Sequence, residues 1–529
     1  APIQAMLAEQ GLAKGVDMNG SAALVMPTMD IRSLMGQPRL YLLVPVKDAE
    51  AFSRNFPGLQ PTDNEQVLRG AGPDGTPVYL KTVGNHVAVS NVEQLIAQHT
   101  SATDAEALHK SVGKLARATI DGSPMVMYLN LNRLGPSVAP LVAFQLGRAQ
   151  VQIAEDPVAA AAMGGPQAAQ AMLQMYGQVI RSILTESEAL VVGLDPMAEG
   201  LRGSLTVQFK ADTTPAKIFS APRMAKVTFD RLPQGDAAMA VSMDLQAIDW
   251  KPLAQGLNDG LLAKMPEDAP MHEMFAMYAE LLRQMGVYTF ADFAWYVPPA
   301  EAEPSTRLAY VYGSGDPAEA LALQRKMMPR MKSVYDKLAA AAGEDVPPMM
   351  EMSYAENQRQ LNDRPVDRMR MKFNMPPNTT GLSPMAAMFA QPWDMHLTYN
   401  DRALVMATGE DMALLKKALA ASDGSGKLGE TSAIRDVVAL LPGDRVAQMY
   451  MNFGKFIENM MRMTDQTDVP KAPDLPMAMS MTASDGGGRA TLVLPAATLK
   501  AMRDMAPMWR MMGQPGGGME PMPPIPDME

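Results

Sequence analysis

The chain has 529 residues, more than one ordinary domain, and 47% of them are hydrophobic, enough for a sizeable buried core. A formal net charge of −11 argues against nucleic acid or an anionic membrane surface as partner. With no cysteine, the sequence excludes disulfides, thiolate catalysis, cysteine-ligated zinc and iron–sulfur clusters.

The opening Ala1-Pro2-Ile3 lacks an initiator Met, which is what removal of a signal peptide would leave, so export to the periplasm or cell surface is expected. No run approaches the roughly 18–20 apolar residues of a spanning helix. After an N-terminal segment over 1–14, Met29–Leu34 is the shortest of four copies of a motif in which a strand ends in Met-(Asn/Asp)-(Leu/Phe). The other copies are Met127–Leu134, Ala240–Ile248 and Gln448–Phe456; the last two follow the turns Leu232-Pro-Gln-Gly-Asp236 and Leu441-Pro-Gly-Asp444. Recurrence predicts a structural task for Asp244 and Asn452, a turn or cap at the strand end.

Arg39–Phe52 reads as a strand whose end, Asp48, caps a helix. Arg307–Leu321 aligns with it without gaps through Asp316, and Pro317 and Glu319 complete a capping box. Val78–Val83, the turn Gly84-Asn85 and His86–Val89 read as a hairpin, with Ser90 capping the next helix. Met395–Tyr399, Asn400-Asp401 and Ala403–Met406 repeat it, with Thr408 as the cap. Two-strand closures follow at Ala189–Leu194 with Gly203–Phe209, and at Met477–Thr482 with Arg489–Leu494.

This order predicts an α+β fold of two pseudo-repeated halves, 15–225 and 230–505, each an antiparallel sheet with helices packed on one face. Helical insertions are expected at about 143–185, where Met172, Met175, Tyr176, Val179, Ile180 and Ile183 share a stripe, and at about 265–345. Residues 506–529, rich in Pro, Gly and Met, are expected to form an extended tail, the helix ending at Pro507.

Catalytic signatures are missing. There is no phosphate-binding loop, no Gly-x-Ser-x-Gly elbow and no His-Glu-x-x-His helix. The five histidines, His86, His99, His109, His272 and His396, do not stand at ligand spacing, so no cofactor is expected. The 49 methionines read first as replacements for Leu in an adaptable core. The alternative is a soft-metal site at Met502, Met505, Met508 and Met511, since thioethers favour Cu(I) and Ag(I).

The Leu-Pro-x-Gly-Asp strand opening and the Val87-Ala-Val-Ser-Asn-Val-Glu93 strand-to-helix turn resemble an uncharacterised family of exported bacterial proteins. That resemblance implies export and a duplicated α+β fold, and brings no activity. The functional expectation is a non-enzymatic exported structural or interaction protein, with protein partners or self-association, such as a subunit of a cell-envelope or surface assembly. The alternatives are a hydrolase with a spatially assembled site and a methionine-based Cu(I)/Ag(I) binder.

Overall fold

The computed structural model describes residues 14–512 apart from 18, 27–38, 73–74, 99–111, 156–172, 174–176, 178–179, 221–225, 261, 268–269, 299–306, 343–349, 375–391, 410 and 463–472. Met29–Leu34, His99, His109 and the stripe residues Met172, Met175, Tyr176 and Val179 therefore lie outside the described residues.

The fold is α+β, and its strands pair antiparallel in two sheets. The smaller holds β1 (Ala23–Val25), β2 (Tyr41–Pro45), β3 (Gln60–Pro61), β4 (Leu68–Ala71), β5 (Pro77–Val83) and β6 (His86–Ser90), in the order β1-β2-β6-β5-β4-β3. Helix α1 (Ala49–Ser53) is capped as the sequence predicts, the Ala51 amide donating to Asp48 Oδ1 at 2.9 Å. It delivers Phe52 into a core with Val44, Leu80 and Val87. Helix α2 (Glu93–Ala97) follows β6, and the hairpin before it turns at Gly84, whose φ of 58° suits glycine.

Among the described residues the larger sheet has thirteen strands. After α3 (Lys114–Asp121) come β7 (Met125–Asn130), α4 (Leu131–Glu155), β8 (Ser187–Met197), β9 (Gly200–Phe209) and α5 (Thr214–Ile218). Then follow β10 (Ala237–Asp244), α6 (Trp250–Gly260), α7 (Pro270–Gln284), β11 (Tyr288–Tyr296), β12 (Arg307–Ser314) and α8 (Pro317–Ala342). The chain continues with β13 (Met350–Leu361), β14 (Arg364–Phe373), β15 (Trp393–Tyr399), β16 (Ala403–Thr408), α9 (Ala413–Ser422) and α10 (Ser432–Val438). It closes with β17 (Ala447–Asn452), α11 (Phe453–Arg462), β18 (Pro476–Ser484), β19 (Gly487–Pro495) and α12 (Ala496–Met512). The strand order is β13-β14-β15-β16-β12-β11-β10-β17-β18-β19-β9-β8-β7.

Residues from both sides of the expected 225/230 boundary thus share this sheet. The closure strand β9 pairs with the closure strand β19, from Gly200↔Pro495 to Gln208↔Gly487. Each would otherwise be an edge with unpaired amides and carbonyls, so pairing satisfies both.

Helices cover both faces of the β12–β16 region, where one covered face was expected. On one face Ala309, Val311, Val405 and Ala407 pack beneath Leu414, Leu415 and Ala418 of α9. On the other, Leu404, Met406, Leu397 and Met395 pack beneath Leu321 and Met328 of α8. The physical reason is composition: every residue of β16 is buried, so neither face tolerates water.

Two local expectations are also corrected. The chain does not leave helical structure at Pro507, because α12 runs on to Met512, so 506–512 is not extended tail. Proline removes one amide donor and kinks a helix without always ending it, and α4 and α8 likewise contain Pro136, Pro140 and Pro329. Thr408 does not cap a helix; its Oγ1 accepts the Leu308 amide across the sheet at 2.7 Å, and Asp411 Oδ1 takes the Ala413 amide instead.

Candidate functional site, an open methionine-rich sheet face

The recurrent motif ends its strands with a side-chain cap. Asn130 Oδ1 accepts the Arg133 amide at 3.2 Å, Asn452 Oδ1 accepts the Lys455 amide at 3.2 Å, and Asp244 Oδ1 accepts the Gln246 amide at 3.0 Å. Each bond turns the chain out of the sheet at the strand end. Asn452 also accepts the Leu475 amide at 3.1 Å and donates to Asp474 at 2.9 Å, tying β17 to the approach to β18. The polar member of the motif therefore does structural work.

Alternation gives the strands between these caps two unlike faces. On one, Ser242, Gln448, Tyr450, Asn452, Ala478, Ser480, Thr482, Thr491, Val493 and Thr206 are all buried. On the other, β10 presents Met239, Val241 and Met243, β17 presents Met449 and Met451, and β18 presents Met477, Met479 and Met481. Across β19, β9, β8 and β7 the same face continues through Leu492, Leu494, Leu205, Val207, Val192, Leu194, Met125 and Met127. None of these side chains is buried, and Met127, Leu205 and Leu194 are 51%, 44% and 39% exposed. None carries a charge.

This face prolongs one that the chain covers elsewhere. Beyond β10 it lies under α8, and at its corner Phe456 of α11 meets Trp295 edge-on at 5.1 Å and packs near Met239. At the far edge stands the helical arm of α4, with Phe144 at 61% and Val151 at 56% exposure.

A cleft of about 980 Å³ opens near the end of β9, lined by Glu188, Asp212, Asp249 and Asp485 and by Lys217, Lys251 and Arg283. Among the described residues no histidine lines it. The carboxylates whose ionisation the fold displaces lie elsewhere, in arginine pairs anchored to the sheet. Burial pushes the Asp292 carboxyl up against the opposing pull of Arg231, whose guanidinium also lies 3.7 Å over the Phe290 ring. Burial opposes ionisation of Asp367 too, but hydrogen bonds from Arg325, Tyr354 and the Asn357 amide hold its carboxyl below the usual range. Both are accounted for as structural pairs.

Among the described residues no group of three or more His, Asp or Glu side chains could hold a metal ion. The sequence-predicted soft-metal residues Met502, Met505, Met508 and Met511 all fall on α12. A helix turns about 100° per residue, so positions nine apart lie on opposite sides of its axis. On β10, β17 and β18, Met239, Met449, Met451, Met477 and Met479 share a face, and cross-strand register, which the sequence does not display, is what brings them together.

No protein-family model matches the chain, and no curated protein matches it. Two solved structures, crystal forms IV and III of TP0453, align with 53% and 52% of this chain and 98% and 97% of theirs. At 9% and 10% identity and TM-scores of 0.24 and 0.23 they carry no argument.

Proposed function

We propose that the chain is a non-enzymatic, exported interaction protein whose open apolar sheet face takes amphipathic helices of a protein partner. The observation that carries this reading is the uncharged, half-exposed face shared by seven neighbouring strands from β10 to β7, backed by a buried face. Where the chain covers the same face itself, it does so with helices, α8 and α11. At about 4.8 Å between strands the face is roughly 29 Å wide, room for about two helices of 10–12 Å diameter lying along the strands. Methionine suits such a surface because its unbranched side chain adapts to more than one partner shape.

Duplication belongs to the same reading. The neighbour order β12-β16-β15-β14-β13 matches β2-β6-β5-β4-β3, and β17-β18-β19 matches β7-β8-β9, element for element in chain order. The resemblance to an uncharacterised exported family, carried by the Leu-Pro-x-Gly-Asp openings, points the same way.

The test is a titration with a fluorescent, leucine-rich amphipathic helical peptide followed by anisotropy. Saturable binding that is lost in Leu205→Lys and Val207→Lys variants supports the reading. Absence of binding, or binding indifferent to both substitutions, contradicts it. Signal-directed secretion of the precursor, followed by cell fractionation, tests export separately.

A further inference from the structure

We infer that Met449, Met451, Met477 and Met479 form a thioether site for a soft monovalent cation, Cu(I) or its analogue Ag(I). In the register of β17 and β18, Met449 stands directly opposite Met479 and Met451 directly opposite Met477. The intervening residues Gln448, Tyr450, Ala478 and Ser480 are buried on the opposite face, so all four methionines share the other, where each is half-buried. Opposed Cβ atoms are about 5 Å apart, and residues two apart on a strand are about 7 Å apart. A point above the middle of that rectangle is therefore roughly 4 Å laterally from each Cβ. An unbranched, three-bond thioether side chain spans such a distance. Met239, opposite Met451 on β10, adds a fifth sulfur at the edge.

The chemistry selects the ion. Thioethers are neutral and soft, and among the described residues β10, β17, β18 and β19 place no carboxylate or imidazole on this part of the face to attract a hard or borderline divalent cation. Packing alone explains other methionines better than these. Met350, Met352, Met369, Met395 and Met406 fill the core beneath α8. Among the described residues Met449, Met451, Met477 and Met479 join none of the buried clusters.

The chain also holds an internal control. On β7 and β8, where the motif repeats, Met127 faces Val192 and Met125 faces Leu194, so only two of the four corners are thioethers. The inference goes beyond the docking reading and does not depend on it, since the ion needs no partner protein.

The experiment is a Cu(I) titration of the full chain in competition with a chromophoric Cu(I) chelator, repeated with Ag(I) by native mass spectrometry. One ion per chain is expected, lost in the double variant Met449→Leu/Met479→Leu and in Met451→Leu/Met477→Leu. Met125→Leu/Met127→Leu and the quadruple Leu variant of Met502, Met505, Met508 and Met511 should bind as the parent does. Leu conserves volume, and matching melting curves verify that the variants remain folded. No binding by the parent overturns the site, as does binding unchanged in both β17–β18 double variants or lost only with the α12 set. Because no peptide is present, failure here leaves the docking result standing, and the reverse also holds.

Discussion

Leu205 and Leu397 lie on the same face of the same sheet, 44% and 0% exposed respectively, and they should respond to substitution in opposite ways. Leu397 packs beneath α8 with Leu321 and Met328. Truncating it to Ala removes buried methyl groups and leaves a cavity, a loss of about 3–4 kcal/mol. Leu205 has water above it and its strand neighbours beside it. A Lys there can run its methylene stem along Val192 and Ala490 and keep the ammonium in solvent. Leu205→Lys should therefore change stability by no more than about 0.5 kcal/mol, while abolishing peptide binding. Urea unfolding followed by circular dichroism gives the first quantity and anisotropy the second. If Leu205→Lys is as destabilising as Leu397→Ala, the face is covered and the docking account is wrong.

Asp367→Ala removes the acceptor for Arg325, at 2.8 Å to both carboxylate oxygens, and for the Asn357 amide at a positive-φ position. It should cost about 3 kcal/mol in urea unfolding, because a partly buried guanidinium keeps, of its carboxylate contacts, only the longer one with the exposed Glu356, at 3.6 Å, and the Asn357 amide loses its acceptor. The folded-state carboxyl is held below its unfolded value, so this contribution is present above the ordinary carboxylate pKa of about 4 and is lost as pH falls through the folded value. An acid titration of stability in which Asp367→Asn keeps the full parental slope would contradict that assignment. Asn452→Ala loses a buried cap with two amide donors, about 1–2 kcal/mol. The more exposed Asn130→Ala should cost less, and thermal melting of the pair checks the order.

Local chemistry was legible in the sequence. Asp48, Asp316 and Asp411 lie at helix starts as their spacing implies, and the Asn and Asp of the recurrent motif end strands. The α+β class followed from alternating strands joined by hairpins and capped helices. Long-range pairing was not legible. Nothing in Gly200–Phe209 names Gly487–Pro495 as its partner, because hydrogen bonds between main chains carry no residue signature. The candidate site was hidden for the same reason. Spacing along the chain favoured Met502 to Met511, whereas Met449 and Met479 meet only through register, thirty positions apart in sequence. Pro507 misled because a breaker residue weakens a helix locally, while the turns on either side can still hold it.

Oxidation footprinting of the methionines tests the central claim most directly, namely that this sheet face is open to solvent and to a partner. Brief exposure to dilute hydrogen peroxide, followed by peptide mass spectrometry, gives a rate for each sulfur. Met127, Met449, Met451, Met477 and Met479 should oxidise well ahead of Met369, Met395 and Met352, which are 3%, 3% and 7% exposed. Saturating amphipathic peptide should slow the first group alone. Equal rates for the two groups, or protection of the β17–β18 methionines in the isolated chain, would contradict the account.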